Sequence, residues 1–430
     1  MNTSTGYTLN DRRTIRAWAM FDWANSSFAL VITAAIFPAY YVAVTDDVIP
    51  FLGGEVSNSS LYAYAISTSY LLIALCSPLL SGIADYGGRK KSFLQFFTTV
   101  GALACMGLFF FEGMSQLTFG TLTFIVAMMG FAGGLVFYNS YLPLIVTEDR
   151  YDSTSAKGFA YGYVGSVILL VLNLIVIQQY QWFGFADAGI ATRVAFLSVG
   201  LWWLGFAQIP FRRLPKDSKI KTGDRLLAKG FQELRKVWYS VRGERNIRRF
   251  LLSFLCLSAG VQTALYLAAT FAEKELAFET AELIVIILLL QIVAVGGAIL
   301  ASQLSAWQGN KIALLIIMTA WMFTCASAYF IDAKWQFYIV AVSVGILMGG
   351  TQALARSTYS KLLPEATTDT ASYFSFYDVT EKLATVLGTF SFGFIEFLTG
   401  SMRSSVLALS VFFLFGFIFL RGASIRHLKV

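Results

Sequence analysis

The sequence predicts an all-α membrane protein with about twelve membrane-crossing helices. Three observations carry that expectation: a scarcity of charge, a series of apolar runs long enough to span a bilayer, and one isolated basic segment near the middle of the chain.

The scarcity of charge excludes a soluble globular protein. Of 430 residues, 57% are hydrophobic and 13% are charged, and the mean hydropathy is +0.66. A soluble domain carries about a quarter charged residues, so this chain cannot cover a water-facing surface and lipid must solvate part of it. Aromatic residues at 16% suit a lipid-facing exterior with interfacial belts.

Apolar runs able to cross a hydrocarbon core of about 30 Å fall near 17–44, 61–82, 92–111, 119–146, 159–177 and 193–211. Six more follow near 250–272, 282–304, 312–331, 336–360, 373–398 and 404–423. The expected domains are therefore a six-helix bundle over 1–211, a basic linker over 212–249 and a second six-helix bundle over 250–430.

The net charge of +7 does not point to nucleic acid, because it is concentrated. Between Arg212 and Arg249 thirteen Lys/Arg stand against four Asp/Glu, so the remainder of the chain is close to neutral. With both ends inside, 26 Lys/Arg fall on the cytoplasmic side and only Arg193, Lys274, Lys334 and Arg403 outside. That asymmetry predicts cytoplasmic termini. Within the linker, Asp224 to Arg242 reads as an amphipathic helix. Leu227, Phe231, Leu234, Trp238 and Val241 share a stripe, with Lys229, Arg235 and Lys236 off it. Such a helix is expected on the cytoplasmic leaflet, held by anionic lipids, with a regulatory or docking role as the alternative.

Cys76, Cys105, Cys256 and Cys325 all lie in apolar runs without metal spacing. They are expected as free thiols packed like small hydrophobes. The polar first sixteen residues and the length of the first apolar run argue against a cleavable leader. The one histidine, His427, is in the tail, so a histidine-based metal site or catalytic triad within the membrane is excluded. No glycine-rich nucleotide loop is present either. An intramembrane enzyme and an ATP-driven pump are thus disfavoured, no cofactor is expected, and a monomer is.

The two halves carry a faint repeat. The loop Ser81–Leu94 between spans two and three corresponds to Ser302–Leu315 between spans eight and nine. Gly130 and Gly134 in span four are echoed by Gly345 and Gly349 in span ten, and small residues four apart let helix backbones approach.

The first of these loops resembles the cytoplasmic signature of the major facilitator superfamily, through Gly82, Ala84, Asp85, Gly88, Arg89 and Lys90. The resemblance implies two pseudo-symmetric six-helix bundles with a cavity between them, and a gating role for Gly82, Asp85, Gly88, Arg89 and Lys90. Asp85 is a candidate cap for the amino end of span eleven. Two further stretches narrow the family: Ala17–Phe28 followed by Phe37 and Pro38, and Gln352–Ser357 followed by Leu363–Glu365, Phe376–Asp378, Lys382 and Gly388. They resemble the vacuolar amino-acid effluxers linked to autophagy and their bacterial "unknown major facilitator" relatives. That implies a secondary transporter exporting amino acids or similar small metabolites. A proton-coupled drug or metabolite antiporter of another facilitator branch is the alternative, ahead of a non-transporting receptor. Departures from the pattern are Ser375, Glu381 and Thr389 in span eleven, and Ala306 and Asn310 in the second-half loop; these shift the expected latch to the first half. The short connections favour a bacterial cytoplasmic (inner) membrane over an organellar one.

In the superfamily spans one, four, seven and ten line the cavity. Their polar residues here are Asp22, Asn25, Asn139, Gln262, Gln352 and Arg356. Span eleven adds Asp378, Glu381 and Lys382. At about 1.5 Å rise per residue, these ionisable groups lie within the membrane, where they are costly unless they face protein. Asp378 and Lys382 are placed to pair at i and i+4. Arg356 can serve Asp22, Asp378 or Glu381. The five charges sum to −1, leaving one carboxylate to take a proton or a substrate ammonium. The neutral amides Asn139 and Gln262 are equally compatible with interhelical hydrogen bonds alone.

Overall fold

In the computed structural model, residues 8–51, 54–218, 226–365 and 367–425 are described. Asp224, where the linker helix was expected to begin, and His427 in the tail lie outside them. Among the described residues the fold is almost wholly helical, and twelve helices are long and apolar enough to cross a membrane. Spans one to six are Arg12–Ala43, Asn58–Gly87, Lys90–Phe110, Met114–Ile145, Glu148–Gln178 and Ala188–Arg213. Spans seven to twelve are Arg245–Tyr266, Glu282–Gln308, Asn310–Tyr329, Lys334–Leu362, Thr370–Thr399 and Met402–Arg421. The helix of span seven continues to Leu276, and a linker helix covers Leu226–Gly243. One feature outside the all-α expectation is a two-stranded antiparallel hairpin between spans one and two, β1 (Val48–Phe51) and β2 (Gly54–Ser57).

The contacts divide the chain into two compact units: 1–139 with 161–231, and 140–160 with 232–430. In the first, span six packs on spans one and three. Its core is aromatic. The Phe37 ring stacks on Phe124 at 4.7 Å and meets Phe196 edge-on at 5.5 Å, while the Tyr40 hydroxyl donates to the Phe111 carbonyl at 2.7 Å. In the second unit, spans eight and ten form the most extensive pairing. Its basis is small residues: a side chain on Gly349 would run into the Ala294 carbonyl, and one on Gly297 into the Ile346 carbonyl.

The glycine echo is used unequally. Gly345 and Gly349 both press on the backbone of span eight. Gly130 presses on Gly101 of span three, but Gly134 meets side chains at ordinary distances, Phe21 at 3.6 Å and Thr98 of span three at 3.7 Å. The matched spacing therefore serves two backbone contacts in the second half and one in the first.

All four cysteines are free; Cys105, Cys256 and Cys325 are buried, as small hydrophobes are. Cys76 departs from that expectation, since span two presents it on its exposed face.

Candidate functional site

Span one brings two polar residues into the core of the first unit. Asp22 is 3% exposed and Asn25 is 1% exposed. A buried carboxylate needs hydrogen-bond donors, and the Tyr138 hydroxyl of span four supplies one to Asp22 Oδ2 at 2.7 Å. Tyr138 is held by its neighbours: its ring stacks on Trp18 at 4.5 Å and on Phe21 at 4.6 Å, and its carbonyl accepts from Trp18 Nε1 at 3.2 Å. Gly162 of span five abuts Ser26 and the Asp22 carbonyl, closing the other side. Asn25 Oδ1 is buried with no hydrogen-bond partner among the described residues.

Immediately after Asn25 the helix widens. Phe28–Ile36 is π-wound, and the Phe37 N–H reaches back five residues to the Ile32 carbonyl. Pro38 explains the need, because a proline inside an α-helix clashes with the carbonyl four residues earlier. Such wide turns are frequent at functional sites. Pro38 was visible in the sequence; the widened winding was not.

In the second unit Arg356 is 2% exposed. Its guanidinium donates to Ser155 Oγ at 3.0 Å and to the Ser155 carbonyl at 2.8 Å, and lies 4.1 Å from the Phe159 ring centroid. Gln352, one turn earlier on span ten, is half-buried, as is Asn139 on span four.

Span eleven carries the expected pair. Lys382 Nζ donates to Asp378 Oδ1 at 2.7 Å and stands 3.5 Å from Glu381. Gln262 of span seven donates to Glu381 Oε1 at 3.2 Å. Asp378 Oδ2 is buried without a hydrogen-bond partner among the described residues. Spans seven and eleven come together at Gly388, where a side chain would collide with Ala259 and Thr263. Of the departures in span eleven, Ser375 turns its hydroxyl back onto the Ser372 carbonyl at 2.7 Å, and Glu381 joins this cluster.

The loop after span two is organised around Gly88, whose φ of 59° lies in the left-handed region that favours glycine. Its N–H and that of Arg89 return to the Asp85 and Ala84 carbonyls, ending the helix by the motif such glycines permit. The Asp85 side chain is fully buried and pairs with Lys90 at 3.0 Å. Asp217, which sequence reasoning passed over, accepts from the Lys91 and Ser92 N–H groups at 2.7 and 2.9 Å. It caps span three, whose first N–H groups have no helical partner.

A second cluster was also missed. Asp152, 7% exposed, accepts from Lys361 Nζ at 2.7 Å, from Ser305 Oγ at 2.6 Å and from Asn310 Nδ2 at 2.7 Å. Asn310 also accepts from Lys361 at 2.7 Å and donates to Thr358 at 3.0 Å. The second-half loop is therefore engaged through the very residue, Asn310, that departs from the expected pattern. No local signal could have revealed this, because Asp152 and Asn310 lie 158 positions apart.

The comparisons with known proteins agree with this architecture. Among solved structures, the chain superposes on the major facilitator transporter FucP in its outward conformation with a TM-score of 0.72 at 14% identity, covering 96% of this chain and 99% of that one. The human organic anion transporter MFSD10 gives 0.69 at 12% identity, over 96% and 100%. In sequence, the uncharacterised MFS-type transporter YxiO of Bacillus subtilis is 30% identical over 94% of this chain and 93% of that protein. Autophagy-related protein 22-1 of Penicillium rubens is 25% identical over 87% of this chain and 77% of that protein. The family model described as vacuole effluxer Atg22 like matches residues 10–427. With nearly its whole length so matched, the chain belongs to the Atg22-like family of major facilitator transporters, integral membrane proteins that carry small molecules and are not enzymes.

Proposed function

We propose that this transporter moves amino acids or similar zwitterionic metabolites by alternating access, in the direction of export. Asp22 and Asn25 of span one, Asn139 of span four, Gln262 of span seven, Gln352 and Arg356 of span ten, and Asp378, Glu381 and Lys382 of span eleven serve substrate or proton, with Asp22 the leading group for the proton and Arg356 for a substrate carboxylate. The observation that carries the reading is the burial of a carboxylate, Asp22, and a guanidinium, Arg356, at 3% and 2% exposure within membrane-spanning helices. Charges so placed are expensive and mark substrate or ion pathways. A carboxylate suits an ammonium, and a guanidinium suits a carboxylate in bidentate fashion, which together describe the two ends of a free amino acid. The effluxer description of the family supports export.

The Lys/Arg asymmetry supports cytoplasmic termini, and the short connections support a bacterial inner membrane. In that orientation Gly82, Asp85, Gly88, Arg89 and Lys90 form a gate on the cytoplasmic side, and anionic lipids meet the basic linker. The bundles 1–211 and 250–430 act as the moving halves, in a monomer. Untargeted metabolite profiling of cells lacking or overproducing the protein, followed by proteoliposome flux on the compounds that change, tests the substrate class. Accumulation of amino acids in the deletion strain is expected; unchanged amino-acid pools alongside a changed pool of lipophilic cations would favour the drug-antiporter alternative.

A further inference from the structure

The linker helix has two working faces. Glu233, Val237, Ser240 and Val241 recur at three and four and turn toward the second unit. Val237 is 1% and Val241 6% exposed. Lys236 bridges Glu233 and Asp369 at 2.6 Å each. The Tyr373 hydroxyl donates to Ser240 Oγ at 2.7 Å, and the Trp238 ring lies 5.7 Å from that of Phe376. Asp369 is the N-cap residue of span eleven. The helix is thus clasped to the first two turns of the span that carries Asp378, Glu381 and Lys382.

The second face is mostly bare, with Trp238 at its edge against Phe376. Leu227, Phe231 and Trp238, spaced by four and seven, are 68%, 59% and 49% exposed. Arg235 and Arg242, seven apart, follow this stripe roughly 40–60° further round at about 100° per residue. The circuit is therefore protein, apolar stripe, paired arginines, then water. Only Glu244 separates the end of this helix from Arg245, where span seven begins, so the helix is tethered at the depth where hydrocarbon gives way to headgroups. An apolar stripe rimmed by arginines at that depth matches one occupant, a leaflet with anionic headgroups.

We propose that this face is a binding site for anionic lipid, with Leu227, Phe231 and Trp238 entering the acyl boundary and Arg235 and Arg242 taking the headgroup phosphate. The Lys236–Asp369 and Ser240–Tyr373 contacts then pass lipid occupancy to the amino end of span eleven. This rests on the lipid and orientation reading above but not on the substrate, so its test needs no flux.

The experiment uses the full chain with Cys76→Ser, since Cys76 is the exposed thiol, and Phe231→Cys carrying a nitroxide. The protein is reconstituted in phosphatidylcholine vesicles with and without phosphatidylglycerol. With phosphatidylglycerol present, the label should collide with lipid-soluble oxygen and be shielded from an aqueous nickel complex. Arg235→Glu with Arg242→Glu should reduce that preference roughly thirtyfold or more, and Lys229→Glu, on an exposed position across the helix, should leave it. Hydrogen exchange over 369–382 should slow with phosphatidylglycerol in the parent and not in Lys236→Ala. A label that stays nickel-accessible in both vesicles, or is shielded only as protein concentration rises, would overturn the lipid site in favour of no occupant or a second copy. Exchange over 369–382 that ignores lipid would overturn the transmission to span eleven.

Discussion

Lys361 donates to Asp152 at 2.7 Å across 209 positions of the chain, and both side chains are about one-tenth exposed. Removing one partner of a buried pair strands the other charge, at a cost of about 3–5 kcal/mol. Asp152→Ala and Lys361→Ala should each lower the thermal midpoint of the purified protein by a margin of that size. Asp152→Asn with Lys361→Met, which strands neither charge, should recover most of it. Additive losses in the double variant would show that the two residues act independently.

The glycines of the second unit make a sharper steric prediction. Gly349→Leu places a side chain against the Ala294 carbonyl and should lose about 1–3 kcal/mol or prevent assembly. Gly296→Ala, on the same helix as Gly297 but with nothing within 4 Å of the new methyl, should be tolerated, and by helix propensity should gain about 1 kcal/mol. Expression level and thermal midpoint measured side by side decide the matter; equal behaviour of the two variants would contradict the close crossing of spans eight and ten.

This contrast shows where sequence reasoning reaches and where it stops. The twelve spans were legible because lipid imposes long apolar runs. The Asp378–Lys382 pair was legible because i to i+4 is a local geometry. Gly130 and Gly134 look alike in sequence, yet only Gly130 meets a backbone, since the partner helix is set by tertiary packing. The same holds for the linker helix. Its stripe was readable, but Val241, assigned to the stripe, is buried with Val237 on the face that grips protein, while Leu227 and Phe231 stay bare. Asp217 and Asp152 gave no signal, because each is recognised only by partners more than a hundred positions away.

The clasp on the linker helix carries a pH prediction. Lys236 is held above its ordinary value near 10.5, first by its hydrogen bond to Asp369 and then by that to Glu233. A base raised on folding stabilises fully below its unfolded value and loses that contribution as pH rises through the folded one. Protease cleavage in the linker should therefore be constant from mildly acidic to mildly alkaline pH and increase only above about 10.5. Lys236→Met should raise cleavage throughout. A rise near neutrality in the parent protein would contradict the assignment.

The hydroxyl of Tyr138 is the donor to Asp22 identified among the first unit's contacts. Tyr138→Phe keeps the stack on Trp18 and Phe21 and removes that bond, so folded protein should persist at near-normal yield. If Asp22 works in transport, turnover should fall severalfold, the scale of a hydrogen bond to a charged group at about 1.5–3 kcal/mol setting the upper limit. Unchanged turnover would make the Tyr138 contact purely structural.

The most direct test of the account is amino-acid counterflow in proteoliposomes, comparing the parent protein with Asp22→Asn and Arg356→Ala, each checked for folding by thermal midpoint. The account predicts concentrative exchange in the parent, loss of its pH dependence in Asp22→Asn, and weakened binding of carboxylate-bearing substrates in Arg356→Ala. Parent-like flux and pH dependence in both folded variants would contradict it and leave these buried charges as structural.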